Sequence, residues 1–396
     1  MQIVHPKESF SQMVSAFLEH TGDFIEYSVG NHVEKTGQEA PLLTDDPEPG
    51  KWYRIHLEDG LSGDGSEYHI YLKKGTLPYL CIFLSGGGMA WNAYSASRPV
   101  TGGRIAAGVP NFYWNNLRPF TQVMNIHFGI TEAGNPRNPF AQWNFIVITY
   151  ATGDFHLGNG SLLYSTEEGQ TKTLHFHGYR NFLSAMEKAR FFFPHPDLLL
   201  IAGDSAGAFA VPALASEIMN TYYPDCKDVT LFSDSALLER ADWTSIIKDV
   251  WKARECFWKP LHTENPAADW YESLLHQKPE GIRLLYASST HDYLLSMFQN
   301  EFLTNNFLTD AKIQEYYFHR LSSMLSRLSD IGVPFGYFLY NWKNPLFTHG
   351  GTVHTAVRYP YYYFRRKGSV SMADWLHDAV NGNVYHVGEE YLHRDR

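Results

Sequence analysis

The stretch LLLIAGDSAGAFAVP, residues 198–212, decides how this chain folds. The segment from Asp197 to Ala202 has the length and apolar character of a buried strand, and residues 206–220 carry Ala, Leu, Ile and Met at helical spacing. The pentapeptide 203–207, Gly-Asp-Ser-Ala-Gly, joins the two. A turn this sharp leaves room only for hydrogen at its two glycine positions. The sequence therefore predicts a strand, a tight turn and a helix, with Ser205 at the tip of the turn.

The pattern G-x-S-x-G between a strand and a helix is typical of a nucleophilic serine. The Oγ of Ser205 would stand above the edge of the sheet, and the amide of Ala206 would face a developing oxyanion. A loop with an incidental serine is the other interpretation of the pentapeptide. The two flanking elements favour the nucleophile.

Composition and charge restrict the class of protein. The 396 residues are 44% hydrophobic and 19% charged, as in a globular domain, and 15% are aromatic. A formal charge of −10 argues against a nucleic-acid partner, because phosphate binding needs a clustered basic face. No apolar stretch reaches the roughly 20 residues that span a bilayer. We therefore expect neither a nucleic-acid partner nor a membrane span.

The cysteines and the N-terminus bear on the compartment. Cys81, Cys226 and Cys256 are odd in number and lack metal-ligand spacing, and residues 1–10 lack the apolar core of a secretion signal. These features indicate a reduced, cytoplasmic enzyme with no metal or other cofactor. A secreted protein whose signal had been removed would show the same pattern.

Strands and helices alternate along the chain, which predicts one α/β domain over residues 1–396, with a mostly parallel central sheet flanked by helices. Residues 1–50 are expected to form a peripheral segment, and about 94–143 and 238–280 are predicted to be lid or cap insertions. A helix is predicted over Thr173–Phe192. Besides the strand before Ser205, the predicted strands are Trp52–Glu58, Glu67–Lys73, Tyr79–Leu84, Phe145–Thr149, Val229–Phe232, Ile282–Ala287 and Phe335–Asn341.

A serine nucleophile needs a histidine base and a carboxylate to hold that base, in the chain order serine, acid, histidine in α/β-hydrolases. Asp292 follows the Ile282–Ala287 strand and His349 follows the Phe335–Asn341 strand, so both have the right order and placement. Asp234 is a second candidate acid. His291 and His354 are further candidate bases. Order and distance from the strand ends favour Asp292 and His349.

A glycine triplet, residues 86–88, follows the Tyr79–Leu84 strand. It is either a flexible turn or a place where backbone N–H groups approach a substrate carbonyl. In α/β-hydrolases the second oxyanion donor comes from the loop after an early strand, which favours the chemical interpretation.

Eight short motifs occur here in the order seen in pectin acetylesterases and Notum-type carboxylesterases, and the chain resembles that family from about Trp52 to at least Thr352. The motifs are Asp64–Ser66, Phe83–Gly88, Asn138–Asn144, Tyr150–Gly158, His177–Gly178, Gly203–Gly207, Ser289–Asp292 and Asn344–His349. The resemblance implies an α/β-hydrolase fold. It also implies cleavage of carboxylic esters, from carbohydrate or, in Notum, of a fatty acyl group from a protein serine.

Transferred position by position, the resemblance implies that Ser205 is the nucleophile, Asp292 the acid and His349 the base. The oxyanion hole would consist of the backbone N–H groups of Gly88, Met89 and Ala206. The candidates for substrate contact are Gly87, Trp91, Asp154 and Asp204, and the ring of Trp91 suits stacking on a sugar.

The chain departs from the family pattern in two places that concern the pocket. The glycine triplet runs into Met89 and Ala90 rather than Trp and Cys, and Asp204 stands where the plant enzymes have Cys. We expect a serine esterase that removes a short acyl group, first of all acetyl, from a carbohydrate through an acyl-enzyme. The alternatives are a lipid or long-acyl carboxylesterase and an inactive carbohydrate-binding protein of the same fold. The sequence predicts no oligomeric state.

Overall fold

The computed structural model describes residues 39–166, 169–276, 280–343 and 350–393. Most of the predicted peripheral segment, residues 1–38, lies outside the described residues. The part of it that is described lies along the edge of the sheet, where Leu42 forms a bridge to Arg54.

Within the described part of the chain, eight strands form the central sheet in the order β1-β2-β4-β3-β7-β8-β9-β10, and β5 and β6 form a separate hairpin. The pairs β1–β2 and β2–β4 are antiparallel and the five remaining neighbouring pairs are parallel. This mixed sheet is consistent with an α/β-hydrolase-like fold. The strands are Trp52–Leu61 (β1), Glu67–Lys73 (β2), Tyr79–Leu84 (β3), Asn144–Ile148 (β4), Gly160–Ser165 (β5), Thr171–Phe176 (β6), Leu198–Asp204 (β7), Val229–Asp234 (β8), Ile282–Ser289 (β9) and Phe335–Tyr340 (β10).

Helices flank both faces of this sheet. Their bounds in the described residues are Ala93–Ala96 (α1), Gly102–Ala107 (α2), Pro119–Ile126 (α3), Gly178–Phe192 (α4), Ala206–Glu217 (α5), Trp243–Ser245 (α6), Glu255–Trp258 (α7), Pro266–Leu275 (α8), Tyr293–Thr304 (α9), Ala311–Ser329 (α10) and Met372–Val380 (α11). A π-helical turn follows α5 at Ile218–Tyr222 and another follows α6 at Ile246–Val250.

The central strands are apolar on both faces because helices cover both. In β3, Ile82 and Leu84 belong to one buried cluster, and Cys81 and Phe83 belong to the other. Successive side chains of a strand point to opposite faces, so a strand that is covered on both sides reads as a continuous apolar run. Such runs are what the sequence shows for β3, β4 and β7, and the strands predicted from them are confirmed.

The helix α5 lies unusually close to the sheet. A Cβ atom on Gly207 would overlap the carbonyl oxygen of Leu84, and one on Gly203 would overlap the carbonyl of Gly207. Both glycines are therefore required by close backbone approach, which confirms the prediction made from the pentapeptide. Small side chains continue along the helix, and the alanines at 206, 208 and 210 are all buried.

The predicted helix Thr173–Phe192 is correct only from Gly178 onward. Residues 171–176 instead form β6, which pairs antiparallel with β5 from Gly160 to Ser165. The alternation of this segment, Thr-Lys-Thr-Leu-His-Phe, buries Leu174 and Phe176 and leaves Thr171 and Lys172 exposed. That period of two is typical of a half-buried strand, and it lies directly before the helical spacing of α4, so the boundary between the two elements falls at residues 176–178.

The two predicted insertions occupy different places. Residues 94–143 contain α2 and α3 and contribute walls to the cavity described below. The described residues of 238–280 contain α6, α7 and α8. Helix α8 packs against α5, and the Trp251 Nε1–H donates to the carbonyl of Ala90 at 2.7 Å.

All three cysteines are unpaired. Among the described helices, none combines the length and the apolar character needed to cross a bilayer.

Gly207→Ala is expected to lower the free energy of unfolding by about 1–3 kcal/mol or more. The added methyl group would overlap backbone atoms of Leu84 and Ser85, which cannot move aside as a flexible side chain could. Urea unfolding measures this change. Gly134→Ala is the matched control, since nothing lies within 4 Å of a Cβ at that exposed position. Equal stability of the two variants would contradict the close approach of α5 and β3.

Candidate active site

The parallel register brings the loops after β3, β7, β8 and β9 to one edge of the sheet. Leu84 lies opposite Gly203, and Asp204 lies opposite Asp234, so neighbouring strands end at the same level. In open α/β sheets this carboxyl edge is where ligands bind. The ends of β7, β8 and β9, which lead to Ser205, Asp234 and Asp292, therefore lie side by side because of strand register.

Ser205 occupies a strained backbone conformation, with φ of 50° and ψ of −124°. Such a conformation costs a non-glycine residue on the order of 1–3 kcal/mol and persists only where the surroundings enforce it. Here the Ser205 N–H donates to the carbonyl of Asp234 at 2.8 Å, and its own carbonyl accepts the N–H of Ala208 at 2.9 Å. The turn thus holds the serine against a cavity that it helps to line.

The imidazole that the structure places against Asp292 is that of His354. Its Nδ1 lies 2.7 Å from Oδ2 of Asp292, and the other oxygen of Asp292 accepts the N–H groups of Leu294 and Leu295 at the start of α9. One carboxylate therefore caps a helix and orients a histidine at once. The Nε2 of His354 is buried without a hydrogen-bond partner among the described residues, and His354 lines the same cavity as Ser205.

Burial disfavours the imidazolium form of His354, but the negative charge and hydrogen bond of Asp292 outweigh it, so the pKa of His354 is raised above its ordinary value. Asp234 and Asp204 act in the same direction. A histidine with such a pKa is a stronger base than a free imidazole, and its unpartnered nitrogen is the one that would accept a proton.

His349, the base favoured by the sequence, lies outside the described residues. The chain on either side returns to the strand ends: Lys343 forms an antiparallel bridge with Thr352, and Thr352 forms a parallel bridge with Asp292. The amide of Val353 donates to the carbonyl of Trp342 at 2.8 Å. Because the chain turns back at these bridges, His354 lies next to Asp292. The distance of a histidine along the chain from the strand end does not predict this contact.

The other candidate acid, Asp234, is also fully buried, but its carboxylate accepts hydrogen bonds from backbone N–H groups rather than from a histidine. Its Oδ2 accepts the N–H groups of Ala356 and Val357 at 2.7 and 2.9 Å, and its Oδ1 accepts the hydroxyl of Tyr340. Burial raises its pKa. Asp234 thus anchors the segment that carries His354.

The remaining candidate base is His291. Its ring stacks on the ring of Phe318, and its Nε2 lies 3.5 Å from Glu315.

The glycine loop lies directly against the serine: a Cβ on Gly86 would come within 2.6 Å of the Cβ of Ser205. In the described part of the chain, the N–H groups of Gly87, Gly88 and Ala206 have no acceptor, and Gly87 and Gly88 line the cavity. The N–H of Met89 donates to the carbonyl of Phe112 at 2.9 Å. Of the three predicted oxyanion donors, Met89 is therefore engaged elsewhere.

The Tyr150–Gly158 motif braces this glycine loop. The hydroxyl of Tyr150 donates to the carbonyl of Gly88 at 2.8 Å, and Nε2 of His156 lies 2.9 Å from the carbonyl of Ser85. Burial lowers the pKa of His156 to about 4, so its ring is neutral and donates one N–H. The amides of these same two peptides are bonded as well, that of Gly86 to Asp204 and that of Met89 to Phe112, so both ends of the glycine loop are fixed.

Asp154, a predicted substrate contact, lies beneath the same motif and does not line the cavity. Its carboxylate accepts the hydroxyl of Thr152 at 2.6 Å and the amide of Gly178 at 2.9 Å. Burial outweighs these donors and raises its pKa to about 6. Asp154 therefore ties the motif to the first turn of α4, including the His177–Gly178 pair.

Trp91, another predicted substrate contact, does not line the cavity either. It is 5% exposed and packs edge-on against Phe112 and Phe302, with ring centroids 4.8 and 5.1 Å apart. Its position supports the cavity wall through Phe112. The remaining predicted contacts, Gly87 and Asp204, do line the cavity.

Asp204 forms a buried ion pair with Arg358, a residue that sequence reasoning missed. The guanidinium Nε donates to one carboxylate oxygen at 3.0 Å, and Nη2 lies 2.9 and 2.8 Å from the two oxygens. The amide of Gly86 donates to the same carboxylate at 2.8 Å. A lone arginine far along the chain carries no motif, so only the tertiary structure reveals this pair.

The cavity above Ser205 has a volume of about 550 Å³. Residues from α2, α3, α9 and the segments beside them form most of its wall. That wall is largely apolar and includes Val109, Phe112, Met124, Met297, Phe298 and Phe307. At its mouth, Ile105 and Leu308 are 48% and 46% exposed. The site thus combines a polar floor with apolar sides.

A cluster of His262, Asp269 and Glu272 has its ligand atoms within 4.8 Å of one another, which is the spacing of a metal site. Arg327 already occupies the space between the two carboxylates: its Nη2 donates to Asp269 and to Glu272, at 2.6 Å in both cases. A guanidinium at this position neutralises the charge that would attract a cation. The cluster is an ion-pair network between α8 and α10.

The fold and the site together define an α/β-hydrolase-like protein with a cavity at the carboxyl edge of its sheet. A sequence profile of the pectinacetylesterase family matches residues 57–254, half of the chain. The chain therefore belongs to the pectinacetylesterase family. Membership implies a carboxylic ester hydrolase. No curated protein matches the chain.

Proposed function

We propose that the protein is a serine carboxylic-ester hydrolase with Ser205 as nucleophile, His354 as base and Asp292 as the acid that orients the base. The observation that carries the proposal is the position of His354. Its Nδ1 is bonded to Asp292, and its unpartnered Nε2 belongs to the same cavity as the strained Ser205. A serine, a histidine and a carboxylate in these roles are the components of acyl-transfer catalysis on many folds.

In the first half-reaction His354 Nε2 takes the hydroxyl proton of Ser205 while Oγ attacks the ester carbonyl carbon. The negative charge on the carbonyl oxygen is stabilised by the N–H groups of Gly87, Gly88 and Ala206; removing one such donor typically costs about 3–4 kcal/mol of barrier. The C–O bond to the alcohol then breaks, and the alcohol leaves with the proton from His354. Water repeats the sequence on the acyl-enzyme, which releases the acid and restores the Ser205 hydroxyl.

The substrate that we propose is an acetyl ester of a carbohydrate, as family membership suggests. Acetylated oligosaccharides assayed by acetate release test this directly. The polar floor of the cavity, with the glycine loop and Ser205, suits the small acyl group. No cofactor takes part in the proposed steps.

Ser205→Ala is expected to lower kcat on p-nitrophenyl acetate by at least 10³-fold, because the residual rate would come from the oxyanion donors and binding alone. Ser165→Ala is the matched control: Ser165 is exposed on β5, away from the cavity. We expect it to keep wild-type activity. If Ser205→Ala kept wild-type activity, Ser205 would not be the nucleophile.

The two histidine candidates can be separated by a pair of variants. His354→Ala is expected to lose activity about as severely as Ser205→Ala, since groups that act as one unit lose catalysis together. His349→Ala is expected to keep kcat within a few-fold. Steady-state kinetics of both variants, with thermal melting as the control for folding, decide the assignment. The reverse outcome would identify His349 as the base.

The cavity wall favours a second candidate function, hydrolysis of esters with a longer acyl chain. An acetyl group fills a small part of about 550 Å³, and the apolar wall and exposed Ile105 and Leu308 suit a hydrocarbon. Each buried CH₂ group would add about 0.8 kcal/mol of favourable transfer free energy.

Rates on acetyl, butyryl and octanoyl esters of p-nitrophenol distinguish the two substrates. If the enzyme is an acetylesterase, kcat/KM should fall from the acetyl to the octanoyl ester. If it hydrolyses esters of longer acyl chains, kcat/KM should rise along the same series. Met297 lines the cavity, and Met297→Trp should narrow it. This variant is compared with the wild-type enzyme on the same esters. It should depress octanoyl hydrolysis more than acetyl hydrolysis if the acyl chain lies along that wall.

A further inference from the structure

Three loops of the candidate active site meet at one buried guanidinium, that of Arg358. Its Nε and Nη2 donate to the carboxylate of Asp204, and its Nη1 donates to Ser85 Oγ at 3.1 Å and to Asn125 Oδ1 at 2.8 Å. The face of the guanidinium lies 5.0 Å from the ring centre of Phe83. Each nitrogen of the side chain has a partner.

The partners of Arg358 are placed next to the reacting groups. Asp204 immediately precedes Ser205, and Ser85 opens the glycine loop. Arg358 itself follows His354 by four residues, on the segment that Asp234 anchors at Ala356. The network therefore connects the nucleophile turn, the proposed oxyanion loop and the histidine loop to one another.

The pair is too deeply buried to be an incidental surface contact: Arg358 and Asp204 are each 4% exposed. Removing such ions from water costs several kcal/mol per ion, which their attraction offsets only when the geometry is good and the other hydrogen bonds are made. Well-packed apolar residues often stabilise a fold equally well. Thermodynamic stability alone does not account for the pair, and its distinctive property is the fixed relative position of three loops.

A direct substrate role for Arg358 fits less well. Although Arg358 lines the cavity, its nitrogens are engaged by Asp204, Ser85 and Asn125, so a substrate carboxylate or hydroxyl would have to displace one of these partners.

The pairing with Asp204 requires arginine in particular. A planar guanidinium matches a carboxylate with two parallel bonds, a geometry that a lysine ammonium cannot reproduce.

We propose that Arg358 is a positioning residue for the ester hydrolysis proposed above. Acting through Asp204 and Ser85, it holds Ser205, the amides of Gly87 and Gly88, and His354 in register, and it does not touch the reacting atoms. The inference rests on the proposed function, since it concerns the geometry of that reaction.

The test is Arg358→Lys, assayed per active site after titration with a fluorophosphonate probe. We expect kcat per labelled site to fall about 10- to 100-fold while KM stays within threefold, because displacements of about 1 Å in positioning can cost 10²-fold in rate. Arg365→Ala is the matched control. Arg365 pairs with Asp374 on the exposed surface, and its loss should leave kcat and KM unchanged.

Asp204→Asn provides the second variant if Arg358→Lys does not fold. It should reduce kcat by a similar factor with KM unchanged. Where both single variants fold, the double variant should lose little more than the larger single loss, since the two residues act as one unit.

A folded Arg358→Lys protein with wild-type kcat per site overturns the proposal. So does a rise in KM with kcat unchanged, which would assign Arg358 to substrate contact. A loss of labelled sites with normal turnover per site would assign it to folding alone, and this also overturns the proposal. Because Ser205→Ala is assayed alongside, an active Ser205→Ala protein would instead refute the proposed function itself.

Discussion

The Asp204 carboxylate is the group on which the geometry of this site depends. It accepts the N–H of Gly86 on one side and the guanidinium of Arg358 on the other, and Ser205 follows it in the chain. The positive φ of Ser205 is unfavourable by itself. It persists because the peptide before it is held by this ion pair and the serine amide is held by Asp234. Strain at the serine is thus balanced by bonds made by its neighbours.

Two buried aspartates at adjacent strand ends fix different parts of the segment that carries His354. Asp292 binds the imidazole of His354, and Asp234 binds the backbone amides of Ala356 and Val357. A carboxylate that binds only the ring would orient it but leave the loop free. A carboxylate that binds only the loop would leave the ring free to rotate. Together the two carboxylates fix both the ring of His354 and the segment that carries it, one from the last residue of β8 and the other from just after β9.

The walls of the cavity differ in origin from its floor. The floor comes from strand ends and the glycine loop, and side chains of the Tyr150–Gly158 motif bond the backbone of that loop. The walls come largely from the 94–143 segment and α9, which are apolar. Of the two departures from the family pattern, Asp204 lines the floor and bonds to Arg358, and Met89 lies outside the lining and bonds to the carbonyl of Phe112.

The sequence by itself determined the strands of the central sheet, the serine turn, the glycine loop and the family, because these depend on local apolar periodicity and on glycines required by close backbone contact. It also indicated Asp292, which directly follows a strand. The β5–β6 hairpin and the partner of Asp292 were decided by tertiary structure. His354 reaches Asp292 through bridges at Thr352, and Arg358 reaches Asp204 across 154 residues of chain. Such pairings depend on where a loop returns in space, and no local pattern of residues records that.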